Sequence, residues 1–196
     1  VRIIQVTSRI RIRGDEETFQ SLRDTLFQYR DSFNRVCEIG WTKKRINGVE
    51  LHHDTYQSER QNTNLPSQLV VSARAKATEA LSSVRARQRK GGKATCPISK
   101  QGSIRYDARS SNIKMKEGYA TLATINGRRK VGLIVSDYHK RYLDWKTCSA
   151  DFVEGKRGKF YLNVVVQKDI QEPQKTGDII GVDLGINRPA VTSRCS

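Results

Sequence analysis

The feature that most constrains this chain is a strand that arrives alone. In residues 1–13, VRIIQVTSRIRIR, the second half alternates, with Ile10 and Ile12 set against Arg9, Arg11 and Arg13. A period of two with β-branched residues predicts a strand with one buried face. Gly14-Asp15 ends it and supplies an N-cap, and strand-like alternation returns only at Ser103, some 90 residues later. A lone strand leaves its backbone donors and acceptors unpaired, so it must pair with those distant strands. The order demands a β domain, a small barrel, with a helical insertion between its first and second strands.

The insertion reads clearly at both ends. Phe19, Leu22, Leu26, Tyr29, Phe33 and Val36 recur at three- and four-residue steps and predict an amphipathic helix over 16–38. Residues 40–64 are polar, with a short helix expected around 48–60. A further helix is expected from Leu65-Pro66, with proline in its first turn. Its stripe of Leu65, Leu69, Ala73, Ala77, Ala80, Leu81 and Val84 is rich in small residues and predicts close packing on another helix. Gly91-Gly92 stops it.

After Gly92, short strands are expected at Ser103–Asp107 and Ile113–Lys116. Tyr119–Ile125 and Arg128–Val135 flank Asn126-Gly127, which suits a type I′ hairpin turn. Asp151–Val153 and Phe160–Val166 make a second hairpin, and 169–177, DIQEPQKTG, reads as a linker. Trp41 and Trp145 are expected at the core or its edge. Cys37, Cys96, Cys148 and Cys195 are scattered without a CxxC, so reduced thiols and no zinc site are expected. His52-His53 lacks a third ligand at a usable spacing and reads as loop or surface.

Charge says most about partners. The formal net charge is +16 with a pI near 10.0, which points to a polyanion, most often nucleic acid. Residues 74–116 carry 12 basic and 2 acidic side chains, while 1–73 carry 11 and 9 and 117–196 carry 13 and 9. The excess is therefore local. Arg85, Arg87, Arg89, Lys90, Lys93, Lys100, Arg105 and Arg109 are candidates to track a phosphate backbone, joined by Arg128, Arg129 and Lys130 after the hairpin turn. Tyr106 and Tyr119 are candidate stacking faces. No window is apolar enough to span a membrane.

The last segment carries the sharpest pattern. In Gly181-Val182-Asp183-Leu184-Gly185-Ile186-Asn187 an apolar strand delivers Asp183 near its end, and Ile186–Thr192 can return as a second strand. An aspartate so placed serves as a metal ligand in ribonuclease-H-like nucleases, where two metals hold the attacking and leaving oxygens of a phosphodiester. It is equally the opening of actin-type ATPases, or a surface residue in a hairpin.

The block GVDLGINRPAV at 181–191 resembles the first RuvC motif of the TnpB family, also called OrfB transposases, which is related to type V CRISPR effectors. The resemblance continues upstream in order: the initial strand, the aromatic helix, LPSQL at 65–69, the basic helix end, SIRY at 103–106 and GRRK at 127–130. It departs at Gly14-Asp15, where the family commonly has proline, and at Ala94–Ile98, where it often has an aromatic–Arg–Phe–Lys stretch.

The resemblance implies an α+β chain: a wedge-type β-barrel interrupted by a helical recognition insertion, then the first strands of an incomplete RuvC (ribonuclease-H-like) domain. The implied divisions are 1–14 for the first barrel strand, 15–94 for the insertion, 95–170 for the rest of the barrel, 171–177 for a linker and 178–196 for the nuclease start. It implies a transposon-associated RNA-guided endonuclease binding guide RNA and double-stranded target DNA in a prokaryotic cytoplasm, at the nucleoid. Asp183 would be its first catalytic Mg2+ ligand. The family's Glu and second Asp ligands and its zinc element are expected beyond Ser196, and one aspartate cannot hold two magnesium ions. The 196-residue chain is accordingly expected not to cut by itself. A nuclease-dead regulator that binds without cleavage is the alternative, and an unrelated basic RNA-binding protein with an accidental DLG is a third reading.

Overall fold

The computed structural model describes residues 2–171 and, for backbone only, 181–183 and 191–193. Residues 4–168 form one compact unit; 1–3 and 169–196 belong to another.

The solitary first strand becomes the middle of the sheet. β1 (Arg2–Arg13), β2 (Ile104–Tyr106), β3 (Ser111–Lys114), β4 (Tyr119–Thr124), β5 (Gly127–Ile134), β6 (Lys146–Glu154) and β7 (Phe160–Ile170) are ordered β2-β6-β7-β1-β5-β4-β3. β1 pairs antiparallel with β5, placing Ile12 beside Leu133. On its other side Gln5 bonds Gln167 at 3.2 Å and Arg9 stacks on Tyr161 at 4.2 Å, so that pairing is antiparallel too. The two edge strands follow one another through Asp107–Ser110. The Tyr106 hydroxyl donates to the Ala123 carbonyl at 2.9 Å, and the sheet curls into a nearly closed antiparallel barrel.

Three helices stand between β1 and β2: α1 (Glu16–Thr42), α2 (Gly48–Asn62) and α3 (Ser67–Arg89). Asp15 caps α1 by accepting the Thr18 N–H at 2.8 Å, and Asn47 caps α2 through Val49. Pro66 stands at the N-cap of α3 rather than inside its first turn. α3 ends where Gly91 turns left-handed, with φ +78°. Ala73 and Ala77 are fully buried, and their small side chains let α1 and α3 pack closely, as the stripe predicted.

Barrel and insertion share one core. Ile10, Phe152, Leu162 and Val164 from the barrel meet Leu22 and Tyr29 of α1 and Leu65 and Leu69. Polar ties fix the helices on the barrel. Ser21 bonds Thr124 at 2.7 Å, Thr25 accepts the Ile125 N–H at 3.1 Å, and Tyr29 bonds Ser72, which donates onward to the Arg105 carbonyl.

Some expectations need correcting. The β4–β5 hairpin forms, but only Gly127 is left-handed, at φ +88°, so its turn is not type I′, which needs positive φ at both central residues. β6 and β7 outrun the expected second hairpin, because a register shift between Thr147 and Ser149 hides the alternation at the start of β6. α4 (Asp137–Lys140), a short helix between β5 and β6, was not expected. His52 and His53 lie on α2, with His52 stacked on Tyr56 at 4.7 Å. Trp41 and Trp145 are half-buried, as expected for the edge of a core.

No helix among the described residues is long and apolar enough to cross a membrane. β8 (Gly181–Asp183) pairs antiparallel with β9 (Val191–Ser193), so Asp183 ends a short strand as its pattern predicted. The Asp183 side chain lies outside the described residues, as does Cys195.

Candidate nucleic-acid interface

The fold sorts the predicted cations into two groups and two separate residues. Arg85, Arg87, Arg89, Lys90 and Lys93 surround the end of α3, and none has a carboxylate partner among the described residues. Arg109, Arg128, Arg129 and Lys130 lie on the outer barrel around the β4–β5 hairpin. There Arg128 donates to the Arg109 carbonyl at 2.6 Å and Lys130 sits 4.0 Å over the Tyr119 ring, while Arg129 pairs with Glu17 of α1 at 2.8 Å. Lys100 stands apart from both groups, in a cleft described below. Arg105 is neutralised by Glu79 at 2.7 Å.

Tyr106 cannot present a stacking face. Its ring is fully buried in the barrel core with its hydroxyl satisfied by Ala123, and burial pushes the phenol far above its usual pKa. SIRY alternates, so Tyr106 shares the inward face of Ile104 while Arg105 points out. Tyr119 is half-exposed and available under Lys130.

The larger concave site draws on segments that charge counting left aside. A cleft of about 890 Å³ runs between α1 and the β6–β7 turn. Five cations line it: Arg9, Arg23, Arg30, Lys100 and Lys156. Two carboxylates line it as well. Glu154 lies 3.5 Å from Arg23, which also holds Glu16 at 2.8 Å, and Asp24 accepts from Gln20 at 2.8 Å. Arg30 pairs with its neighbour Asp31 at 3.0 Å. Arg9, Lys100 and Lys156 keep their charge unpaired among the described residues.

Aromatic faces accompany these cations. Phe27 is 57% exposed at the cleft, with the Arg30 guanidinium 4.6 Å from its ring centre. Guanidinium over an aromatic face is favourable and keeps both groups extended. Phe27 therefore offers an exposed ring beside unpaired cations. Phe27 was legible in principle, since it falls outside the regular apolar spacing of α1. Arg9, Arg23 and Lys156 were not, because only the fold brings them together.

The cleft is held firmly. Lys76 of α3 donates to the Ser103 hydroxyl at 2.6 Å and its carbonyl at 3.0 Å, and burial pulls its ammonium below the ordinary lysine value. Burial likewise pushes the Tyr29 phenol up to about 12, so its bond to Ser72 is not broken by titration near neutrality. Asn34 holds the segment before Lys100 through paired bonds with Ser99, at 3.1 and 2.8 Å. Among the described residues no three His, Cys, Asp or Glu side chains group as a metal site.

No family model matches the sequence, and no curated protein does. Among solved structures, the chain is similar in fold to a chain in a cryo-EM structure of a CRISPR-Cas12f ternary complex, with TM-score 0.53 at 14% identity. The match covers 92% of this chain and 50% of that one, so the chain spans about half its length. At this identity the likeness is one of fold.

Proposed function

We propose that this chain is the nucleic-acid-binding portion of an RNA-guided DNA endonuclease of the TnpB and Cas12f kind. The observation that carries the reading is the cleft, where unpaired Arg9, Lys100 and Lys156 stand beside the exposed Phe27. Unpaired cations neutralise phosphates, and an uncovered ring stacks on a base. The GVDLGIN motif and the fold likeness lend support, because each leads separately to type V effectors and their relatives. In this reading guide RNA occupies the cleft and target DNA lies along the barrel cations. Asp183 is the first of several carboxylates that would hold Mg2+, which activates and stabilises the reacting oxygens.

The test is to express the chain, extract copurifying nucleic acid, and titrate structured RNA and duplex DNA across a salt series. Copurifying RNA with steep salt dependence is expected. Affinity that stays flat with salt, with no RNA recovered, overturns the binding role. Magnesium-dependent cutting that survives Asp183→Ala overturns the role given to Asp183.

A further inference from the structure

A second pocket lies at the far end of the insertion, about 21 Å along α1 from Phe27 at 1.5 Å per residue. It encloses about 290 Å³, at the low end for ligand sites. Trp41, Ile46, Leu81, Lys44, Arg85 and Gln88 line it. Gly40 lines it as well, where a Cβ would stand 2.5 Å from the Leu81 side chain, 3.0 Å from the Arg45 carbonyl oxygen and 3.1 Å from the Leu51 side chain. The close approach of α1 and α3 brings the half-exposed Trp41 ring to the mouth.

Its electrostatics are selective. Lys43, Lys44 and Arg45 are consecutive, yet Lys43 and Arg45 are both held by Asp54, at 3.3 and 3.2 Å. Lys44 alone of the three lines the pocket, and it has no carboxylate partner among the described residues. Its backbone is left-handed, φ 55°, a conformation that only one other non-glycine residue adopts among those described, Arg157. Glycine would take that position with less strain, so a lysine kept there points to use of its side chain. Arg85 donates to the Lys44 carbonyl at 3.3 Å, which places a second unneutralised cation at the pocket.

We propose that this pocket takes one unpaired nucleotide, its base stacked on Trp41 and its phosphate between Lys44 and Arg85, with the Gln88 amide at the base edge. The proposal rests on the nucleic-acid reading above but requires neither a guide nor a cut. An acidic peptide would satisfy the cations and leave the flat indole face without a matching surface.

The test uses the full chain carrying Trp145→Phe, so that Trp41 is the only tryptophan. Its fluorescence is titrated with ribo- and deoxyribonucleoside 5′-monophosphates at constant ionic strength, and with ribose 5-phosphate and inorganic phosphate. Saturable quenching by nucleotides only is expected, weakened about tenfold in Arg85→Gln and in Lys44→Gly, the loss of one charge-assisted contact. Preference for ribo- or deoxyribonucleotides tells which strand is held. Equal response to ribose 5-phosphate, no response at millimolar nucleotide, or unaltered response in both variants overturns the proposal. Long-RNA binding measured on the same preparation separates the two ideas: if it persists while nucleotides do nothing, only the pocket fails. Should Trp145→Phe unfold the chain, fluorine NMR of fluorotryptophan in the unaltered chain carries the same outcomes.

Discussion

Replacing Arg9, Lys100 and Lys156 together by glutamine should remove from the salt dependence of binding the full share of three phosphate contacts, whereas removing paired cations should not. These three line the cleft without carboxylate partners among the described residues. Each phosphate contact contributes about 0.9 to the slope of log affinity against log salt on duplex, and about 0.7 on a single strand. Three contacts on a base-paired stretch of RNA, taken at the duplex value, therefore flatten the slope by about 2.7. Between 50 and 200 mM salt the wild-type chain then loses about 40-fold more affinity than the variant. The matched control removes cations that the protein has already neutralised, Arg105 on Glu79 and Arg129 on Glu17. Their guanidiniums hold carboxylates, and exposed pairs of this kind are worth little, so Arg105→Gln with Arg129→Gln should move the slope by less than about 1. Fluorescence anisotropy with labelled structured RNA, the ligand assigned to the cleft, at five salt concentrations reads both numbers. Equal flattening per charge removed in the two variants refutes the reasoning, because it would mean that net charge, not the cleft, governs binding.

Gly40→Ala should destabilise the chain by about 1–3 kcal/mol in urea unfolding despite alanine's better helix propensity, because its Cβ meets the Leu81 side chain at 2.5 Å. Lys44→Gly should instead stabilise it, by about 0.5–1 kcal/mol, by relieving a left-handed lysine while weakening nucleotide binding. Burial works to raise the Asp107 pKa, but bonds from Ser110, Gln68 and the Arg109 N–H outweigh it and the carboxyl lies below its usual 3.8. With the folded value depressed, its stabilisation is complete above the unfolded pKa and lost as pH falls through the folded one, so Asp107→Asn should flatten the acid limb of stability below about pH 4. Burial pushes the Cys37 thiol up to about 12, so Cys37 should resist alkylation in the folded chain at pH 8 and react once urea unfolds it, as peptide mass mapping would read.

Topology was more legible than turn chemistry or surface. The isolated alternation of Ile10 and Ile12 demanded distant partners, and β1 indeed lies between β7 and β5. That inference rests on backbone hydrogen bonding, which every strand must satisfy. The Asn126-Gly127 turn type failed because local preference is weak against the packing around it: Thr124 accepts the Asn126 N–H and donates to the Gly127 carbonyl, fixing a different geometry. On α1 the apolar spacing identified the helix but not all that it buries. Thr18, Ser21, Thr25 and Ser32 are buried too, and Ser21 and Thr25 bond the hairpin on the barrel. Small hydroxyls give no hydrophobic signal, so only their partners reveal them. The cations divided likewise. A contiguous window finds Arg85 through Lys93, whereas Arg9, Arg30 and Lys156 converge only through the fold.

Linear charge density and site geometry therefore answer different questions. Density follows the net excess along the chain, and it would rank Arg105 with Lys100. The fold separates them, because α3 supplies Glu79 to Arg105, while Asn34 fixes the Lys100 segment at the cleft with no carboxylate within ion-pair distance of it among the described residues. A cation contributes to polyanion binding only to the extent that its charge is uncompensated in the free protein, since phosphate must otherwise displace a partner already in place. The same test chose Lys44 over Lys43 and Arg45, three neighbours that no count of charge could tell apart. Both proposed sites thus follow one physical rule: carboxylates of α1, α2 and α3 pair with cations that tie the helices and barrel together, and each proposed site is lined by cations left unpaired among the described residues.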